Sequence, residues 1–471
     1  MLARRMGPSD PPVLRKFRYN LYILREVRIG LMAIASSPKK LFADRMIRIG
    51  TESAFALGGR ISEAELGDKP VIRCNLGQPD FPLPHHITAA VKKALDMGLT
   101  TYCDPQGIPE LRSSVAKSMG EKHGLDVDPE RVVIYPGGRP PIGFAHMTYS
   151  EAGEEVIYPS PGYPLFESFI PYFRCNPIPV VLEESDDFAL KRDNLEPLLN
   201  DRTGLIFLNF PSNPTGGVAT REELNELAEL IIEKTSPNLR VYSDESYEAI
   251  TFDGDEHTSI ASMPGMEART IIASGCSKTY AWTGGRVGWA VYPTVEEALA
   301  HRQLAINYFA SIPPYNQWGA IEALESPESA NSIQIMVEAF QRRRDLVVTG
   351  LNEISGITCQ NPKGAFYAFP NIEGALQNMG GIKAFDELPE DIRTDSSPAT
   401  LFQLFLLYKY KVATMDRRSF GTLGSEGQHF LRISTANADE ELAEAVSRIG
   451  AATKDADGFR TFLDSGVQLT L

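Results

Sequence analysis

A chain of 471 residues, 43% hydrophobic and 23% charged, has the length for two or three compact units and the composition of a globular protein with a large core, which excludes wholesale disorder. Its 61 acidic against 46 basic side chains give a net charge of -15, a field that repels phosphate backbones and anionic lipid heads, so neither nucleic acid nor membrane is expected as a partner. The five cysteines are scattered without zinc-site or disulfide spacing, and the longest apolar stretch, 21–35, is broken by Arg25, Glu26 and Arg28; a soluble, cytoplasmic protein without a metal is expected.

Residues 1–40 carry Arg4, Arg5, Arg15, Lys16, Arg18, Arg25, Arg28, Lys39 and Lys40 against only Asp10 and Glu26, and are read as a basic N-terminal extension, a helical arm that packs on the body or on a partner subunit rather than a transit peptide. Residues 41–74 are expected to join a small domain formed mainly later in the chain. Between about residues 75 and 325, short β-branched runs alternate with amphipathic stretches, as a parallel sheet with crossover helices requires. The predicted strands are Val132–Tyr135, Glu155–Tyr158, Asn176–Val181, Gly204–Asn209, Arg240–Ser243, Thr270–Ala273 and Val287–Val291, and in Arg221–Lys234 the residues Leu224, Leu227, Ala228 and Ile231 share one helical face. The expected fold is therefore α/β, with a large, mostly parallel seven-stranded sheet. Residues 326–454 change texture to a long helix through Arg344 and strands at Ala365–Phe369 and His429–Ser434, a smaller α+β domain, followed by a tail at 455–471. The polar, acidic segment Glu373–Pro398 is read as a surface excursion.

Four segments beside predicted strand ends carry distinctive chemistry, and strand ends are where open α/β sheets place ligands. The first, Ser274-Gly-Cys-Ser-Lys278-Thr-Tyr-Ala-Trp-Thr-Gly-Gly-Arg286, sets a lysine among small residues with an arginine in the same loop. An isolated lysine is usually solvated, but a lysine that condenses with a carbonyl needs such surroundings, and a nearby guanidinium suits a phosphate dianion. In Val241-Tyr-Ser-Asp244-Glu-Ser-Tyr247 an apolar strand ends in a carboxylate; this commonly caps a helix, yet a buried carboxylate opposite a pyridine nitrogen keeps that nitrogen protonated. Asn213-Pro-Thr-Gly216 alone marks a turn, and Tyr135-Pro-Gly-Gly138-Arg139-Pro140 alone is a weak phosphate loop that matches neither a Walker A motif nor a dinucleotide fingerprint.

In their order and spacing these segments resemble the class I/II aminotransferases, the fold-type I, aspartate-aminotransferase-like enzymes dependent on pyridoxal 5′-phosphate, over about residues 41–449. The resemblance implies that Lys278 forms the Schiff base with the cofactor and later carries the proton, that Asp244 faces the ring nitrogen, and that Asn213 and Tyr247 donate to the phenolate oxygen. Gly138, Arg139, Ser277 and Arg286 match phosphate positions, and Tyr163, in Pro-Gly-Tyr-Pro, matches a ring stacked on the pyridine. Tyr102 is similar to a tyrosine that reaches the phosphate of a neighbouring subunit, which implies a homodimer with shared sites. Arg432, in Phe-Leu-Arg-Ile-Ser, resembles the arginine that grips the α-carboxylate, with Gly77 and Asn213 beside the substrate. An amino acid and a 2-oxo acid are the implied small-molecule partners.

Four departures bear on this reading. Gly275 stands where many relatives have serine, so a phosphate hydroxyl is missing, and Gly285 replaces a frequent tryptophan, a change expected to open space near the cofactor. Arg139-Pro140-Pro141 stiffens the phosphate loop, and Thr414-Met-Asp-Arg-Arg418 replaces an apolar, proline-containing turn. No second arginine is assignable to a distal carboxylate. The alternatives are another reaction of the same cofactor (decarboxylation, elimination, replacement or carbon–carbon bond formation) and, in a different class, an aminotransferase-like transcription regulator, which the short basic arm and acidic body disfavour.

Overall fold

The computed structural model describes residues 41–50, 53–66 and 69–470, with side chains of 53–56 left aside. The basic extension expected at 1–40 lies outside the described residues. In chain order the strands are β1 (Ile72–Arg73), β2 (Val132–Tyr135), β3 (Glu155–Ser160), β4 (Asn176–Val181), β5 (Thr203–Asn209), β6 (Arg240–Asp244), β7 (Thr270–Gly275), β8 (Gly288–Val291), β9 (Tyr367–Ala368), β10 (Val412–Ala413), β11 (Met415–Asp416) and β12 (Leu431–Ser434).

Seven of these form one sheet in the order β2-β8-β7-β6-β5-β3-β4, and the pairs from β7 to β4 are all parallel. Only β8 runs against its neighbours, pairing antiparallel with both β7 and β2. Two reversals restore direction, so β2 ends at the same edge as β5, β6 and β7. Apart from the edge strand β4 the strands are buried almost throughout, as both-face coverage by helices demands, with one apolar cluster around Val132, Ile134 and Trp289 and another around Tyr135, Val156 and Phe207.

The flanking helices follow local signals. Helix Arg221–Lys234 starts at a Thr220/Glu223 capping box, carries Glu222 and Glu223 in its first turn and Lys234 in its last, and buries Leu224, Leu227, Leu230 and Ile231. Each such leucine or isoleucine contributes about 1.5–3 kcal/mol relative to exposure. The crossover helix thereby seals one face of the sheet beside β5 and β6.

Beyond the sheet, helix Pro327–Asn352 continues past Arg344 because Val347, Val348 and Leu351 keep the apolar face going. It lies against helix Asp439–Ala452 and a three-stranded antiparallel sheet, β11-β12-β9; β1 pairs with β10 in a separate parallel ladder. The strand expected at Ala365–Phe369 is only Tyr367–Ala368, Ala365 itself holding a φ of 58°. The segment 373–398 corrects its reading as a surface excursion at its start only, since 383–395 hold no buried residue. It forms three short helices, and Ala375, Leu376 and Met379 enter the same apolar cluster as Val347, Leu401 and Phe405, because Ile372, Ala375, Leu376 and Met379 fall at helical spacing within a polar-looking stretch. The helix Ala456–Leu463 adds Phe459 and Phe462 to that core.

Candidate active site

A cleft of about 520 Å³ opens at the common edge of β2, β5, β6 and β7, facing β9 and β12. Gly77, Gly138, Arg139, Tyr163, Asn213, Asp244, Tyr247, Ser277, Lys278, Arg286 and Arg432 all line it. Tyr102 does not; it is 87% exposed on the surface of the chain.

The sheet side of the cleft is backbone work. Gly275 and Gly288 are paired across β7 and β8, and a Cβ on Gly275 would lie 2.8 Å from Gly288 Cα. A Cβ on Gly288 would lie 2.7 Å from the carbonyl carbon of Gly137. This stack draws the loop after β2 against the loop after β7, and it leaves no room for the serine that relatives carry at 275. Gly137, at a φ of 91°, lies directly on the Arg286 guanidinium, which donates to Pro136 O at 3.0 Å and Thr283 O at 2.8 Å. Burial and the neighbouring Arg139 both push the Arg286 guanidinium below its ordinary range, the mark of two cations gathered at one wall. Helix Pro140–Tyr149 begins at that wall. Gly285 does not open space toward the cleft: the Trp282 indole occupies it, 2.1 Å from where a Cβ would sit, and Gly285 is not among the lining residues.

Asp244 ends β6 and is buried. Burial pushes its carboxyl up, while Ser246, donating through Oγ at 2.6 Å and N–H at 3.1 Å, and the charge of Lys278 hold it back. Asn209, at the register-matched end of β5, bonds Asp244 O through Nδ2 and accepts from the Asn213 N–H. Lys278 lies in the turn of helix Cys276–Thr279; its Nζ donates to Gly77 O and stands 5.7 Å from the Tyr247 ring centroid.

The opposite side is built from side chains. Arg432 is sandwiched between the Tyr367 and Phe420 rings, 4.4 and 4.8 Å from their centroids. It donates to Asn213 Oδ1 at 2.9 Å and Asn75 O at 2.5 Å. The Tyr367 hydroxyl pairs with that of Tyr247 at 2.6 Å and would meet a Cβ on Gly77, so Gly77 is glycine because Tyr367 is there. The unusual turn at 414–418 has a plain role: buried Arg417 donates to Gly421 O, Gly424 O and Ser160 Oγ, each at 3.0 Å, lacing the loop that carries Phe420 to the end of β3.

Asn209, Ser246 and Tyr367 are site residues that motif reading missed. Ser246 had a signal, since a hydroxyl two residues past a strand-end aspartate often closes a turn on it. Tyr367 had none beyond its place in a short apolar strand.

The donor set fits pyridoxal 5′-phosphate: a lysine amine, a carboxylate raised by burial, an amide and a phenol between them, and two guanidiniums beside glycine backbone. The profile of the family "Aminotransferase class I and II" matches residues 69–449. The chain is 34% identical over 412 residues to an aspartate/prephenate aminotransferase of Cereibacter sphaeroides, covering 87% of this chain and 98% of that protein. It is 35% identical over 392 residues to aromatic-amino-acid aminotransferase 2 of Thermococcus litoralis, covering 83% and 93%. The crystal structure of the aspartate aminotransferase from Rhizobium meliloti superposes with a TM-score of 0.78 at 31% identity, covering 88% of this chain and 98% of that one.

Proposed function

The chain belongs to the class I and II aminotransferases, enzymes that use pyridoxal phosphate, and from that premise we propose that it moves an amino group between an L-amino acid and a 2-oxo acid with Lys278 as the cofactor-bearing lysine. The observation that carries the reading is the convergence of Lys278, Asp244 and the Arg139–Arg286 pair on one cleft from three separate strand ends.

Bound there, the cofactor supplies an aldehyde for the substrate's nitrogen and a ring that accepts electrons from Cα. Asp244 would face the ring nitrogen and keep it protonated, its carboxyl, raised by burial, gaining a cation opposite it. Asn213 and Tyr247 would hold the phenolate oxygen, Tyr163 the ring face, and Gly138, Arg139, Ser277 and Arg286 the phosphate. Arg432 would grip the α-carboxylate as a planar fork, which aligns Cα with Lys278 Nζ. Lys278 Nζ, released once the substrate's nitrogen takes its place, would accept the Cα proton and hold it for return, the general base of the reaction. The same residues in reverse order serve the 2-oxo acid, giving ping-pong kinetics.

Tyr102, exposed outside the cleft, supports a homodimer in which it completes the partner's phosphate site. We take residues 75–325 as the cofactor-holding unit and 41–74 with 326–454 as the substrate-side unit. Among the described residues no helix is long and apolar enough to cross a membrane. The scattered free cysteines support a reducing, cytoplasmic setting.

The test is a panel of aspartate, aromatic amino acids and alanine in single turnover. A productive donor bleaches the yellow holoenzyme and a 2-oxo acid restores the colour. Release of carbon dioxide or ammonia without that restorable bleaching would replace transamination with another reaction of the cofactor.

A further inference from the structure

One residue past Asp244, Glu245 leaves the cleft lining and enters a closed polar cluster. It is wholly buried, and its Oε1 accepts hydrogen bonds from Ser243 Oγ at 2.8 Å and Ser259 Oγ at 2.6 Å. Those two hydroxyls leave Oε2 facing two imidazoles, His257 Nε2 at 2.9 Å and His123 Nε2 at 3.3 Å. Glu248 Oε2 lies 4.0 Å from His123 Nε2, and the other Glu248 oxygen takes Lys122 Nζ at 2.7 Å. Three separate segments meet here: the end of helix Pro109–His123, the end of β6, and the loop that carries His257.

A hydrogen-bonded His257–Glu245 ion pair accounts for half of this arrangement. The other half stays unexplained, because the side chains of His123 and Glu248 are only 3% and 5% exposed while His123 Nε2 and Glu248 Oε2 have no hydrogen-bond partner. A buried polar atom left without a partner destabilises the folded chain. One electrophile between them would satisfy both. The three ligand atoms of His123, Glu245 and His257 lie within 4.8 Å of one another, and a tetrahedral ion with bonds of about 2.0–2.2 Å has ligand edges of about 3.4 Å, a length that the separations of 2.9, 3.3 and 4.0 Å straddle.

We propose that His123, Glu245 and His257, with Glu248 as fourth ligand, form a structural site for a divalent transition-metal ion of the zinc class. Two imidazoles and two carboxylates are a borderline donor set, and two carboxylates balance a dication. Ser243 and Ser259 hold the non-ligating oxygen of Glu245, the outer support that orients a carboxylate ligand. Such an ion would pin helix Pro109–His123 and the His257 loop to the strand end from which Asp244 and Tyr247 enter the cleft.

Holoenzyme stripped with a chelator and titrated with Co²⁺ tests this. Expected are about one equivalent bound per chain, the visible d–d absorption of a tetrahedral nitrogen–oxygen site without a thiolate charge-transfer band, displacement by Zn²⁺, and a higher melting temperature. His123→Asn and His257→Asn should each weaken Co²⁺ binding by at least about tenfold. The wild-type titration decides alone if either variant unfolds. Absence of the tetrahedral spectrum, a thiolate band in its place, or binding unchanged in both folded variants overturns the proposal.

Discussion

On the sheet side of the cleft, Asn209, Asp244 and Gly275 stand at the ends of three adjacent strands, and the Arg286 guanidinium is held by two backbone carbonyls. On the other side, Arg432 lies inside a four-residue strand and takes its orientation from two aromatic rings, an amide and a carbonyl on remote segments. The first wall is set by hydrogen-bonded backbone that cannot shift without breaking the sheet. The second is set by side-chain packing between segments far apart in the chain. On the proposed function, the first construction would hold the cofactor and the second the substrate's carboxylate.

Substitutions on the two walls should therefore fail differently. Lys278→Ala on the sheet side should have the largest effect, a loss of about 10²–10⁴-fold or more in the single-turnover rate, with borohydride no longer fixing the cofactor to the peptide that carries residue 278. Retained turnover in that variant would take the chemistry away from this wall. Arg432→Leu should lower kcat/KM for the amino acid by about 2–3 kcal/mol while cofactor affinity stays unchanged. A parallel fall in cofactor affinity would show that the two walls are not separable.

Gly288→Ala tests the backbone wall directly. Its Cβ would meet Gly137 at 2.7 Å, so cofactor affinity, measured by absorbance titration, should weaken by about 1–3 kcal/mol. Acid probes the same region through His146, packed against the Phe207 and Phe173 rings, where burial lowers the imidazole from 6.5 to about 3. Because the unfolded chain takes up this proton first, stability is full above about 6.5 and falls by on the order of 1.4 kcal/mol per pH unit toward pH 3. Urea melts of a His146→Leu variant should show a shallower acid slope; an identical slope would remove His146 from the account. The smallest effect is expected for Tyr367→Phe, which removes the hydroxyl pair with Tyr247 but keeps the ring on Arg432: about 1 kcal/mol in kcat/KM, without loss of cofactor.

Much of this was legible before any coordinates. Short β-branched runs and a helical period marked β2 and β4 and helix Arg221–Lys234 at the boundaries they hold, and the remaining sheet strands to within two residues. The motif residues fell at strand ends because strand, turn and glycine are encoded within a few neighbouring positions. The buried face of 372–379 was missed where polar composition masked a helical period, and the helix Pro327–Asn352 was ended too early at Arg344 although Val347, Val348 and Leu351 continue its apolar face.

What the sequence determined by itself was the backbone wall, since its register and turns are local properties of short runs such as Arg240–Asp244 and Thr270–Gly275. Only the tertiary structure decided that Tyr367 would back both Tyr247 and Arg432, that Trp282 would fill the space beside Gly285, and that His123 would reach Glu245 and His257. Those meetings join side chains far apart in the chain, and no local periodicity carries the contact, because it exists only once two independently folded elements dock.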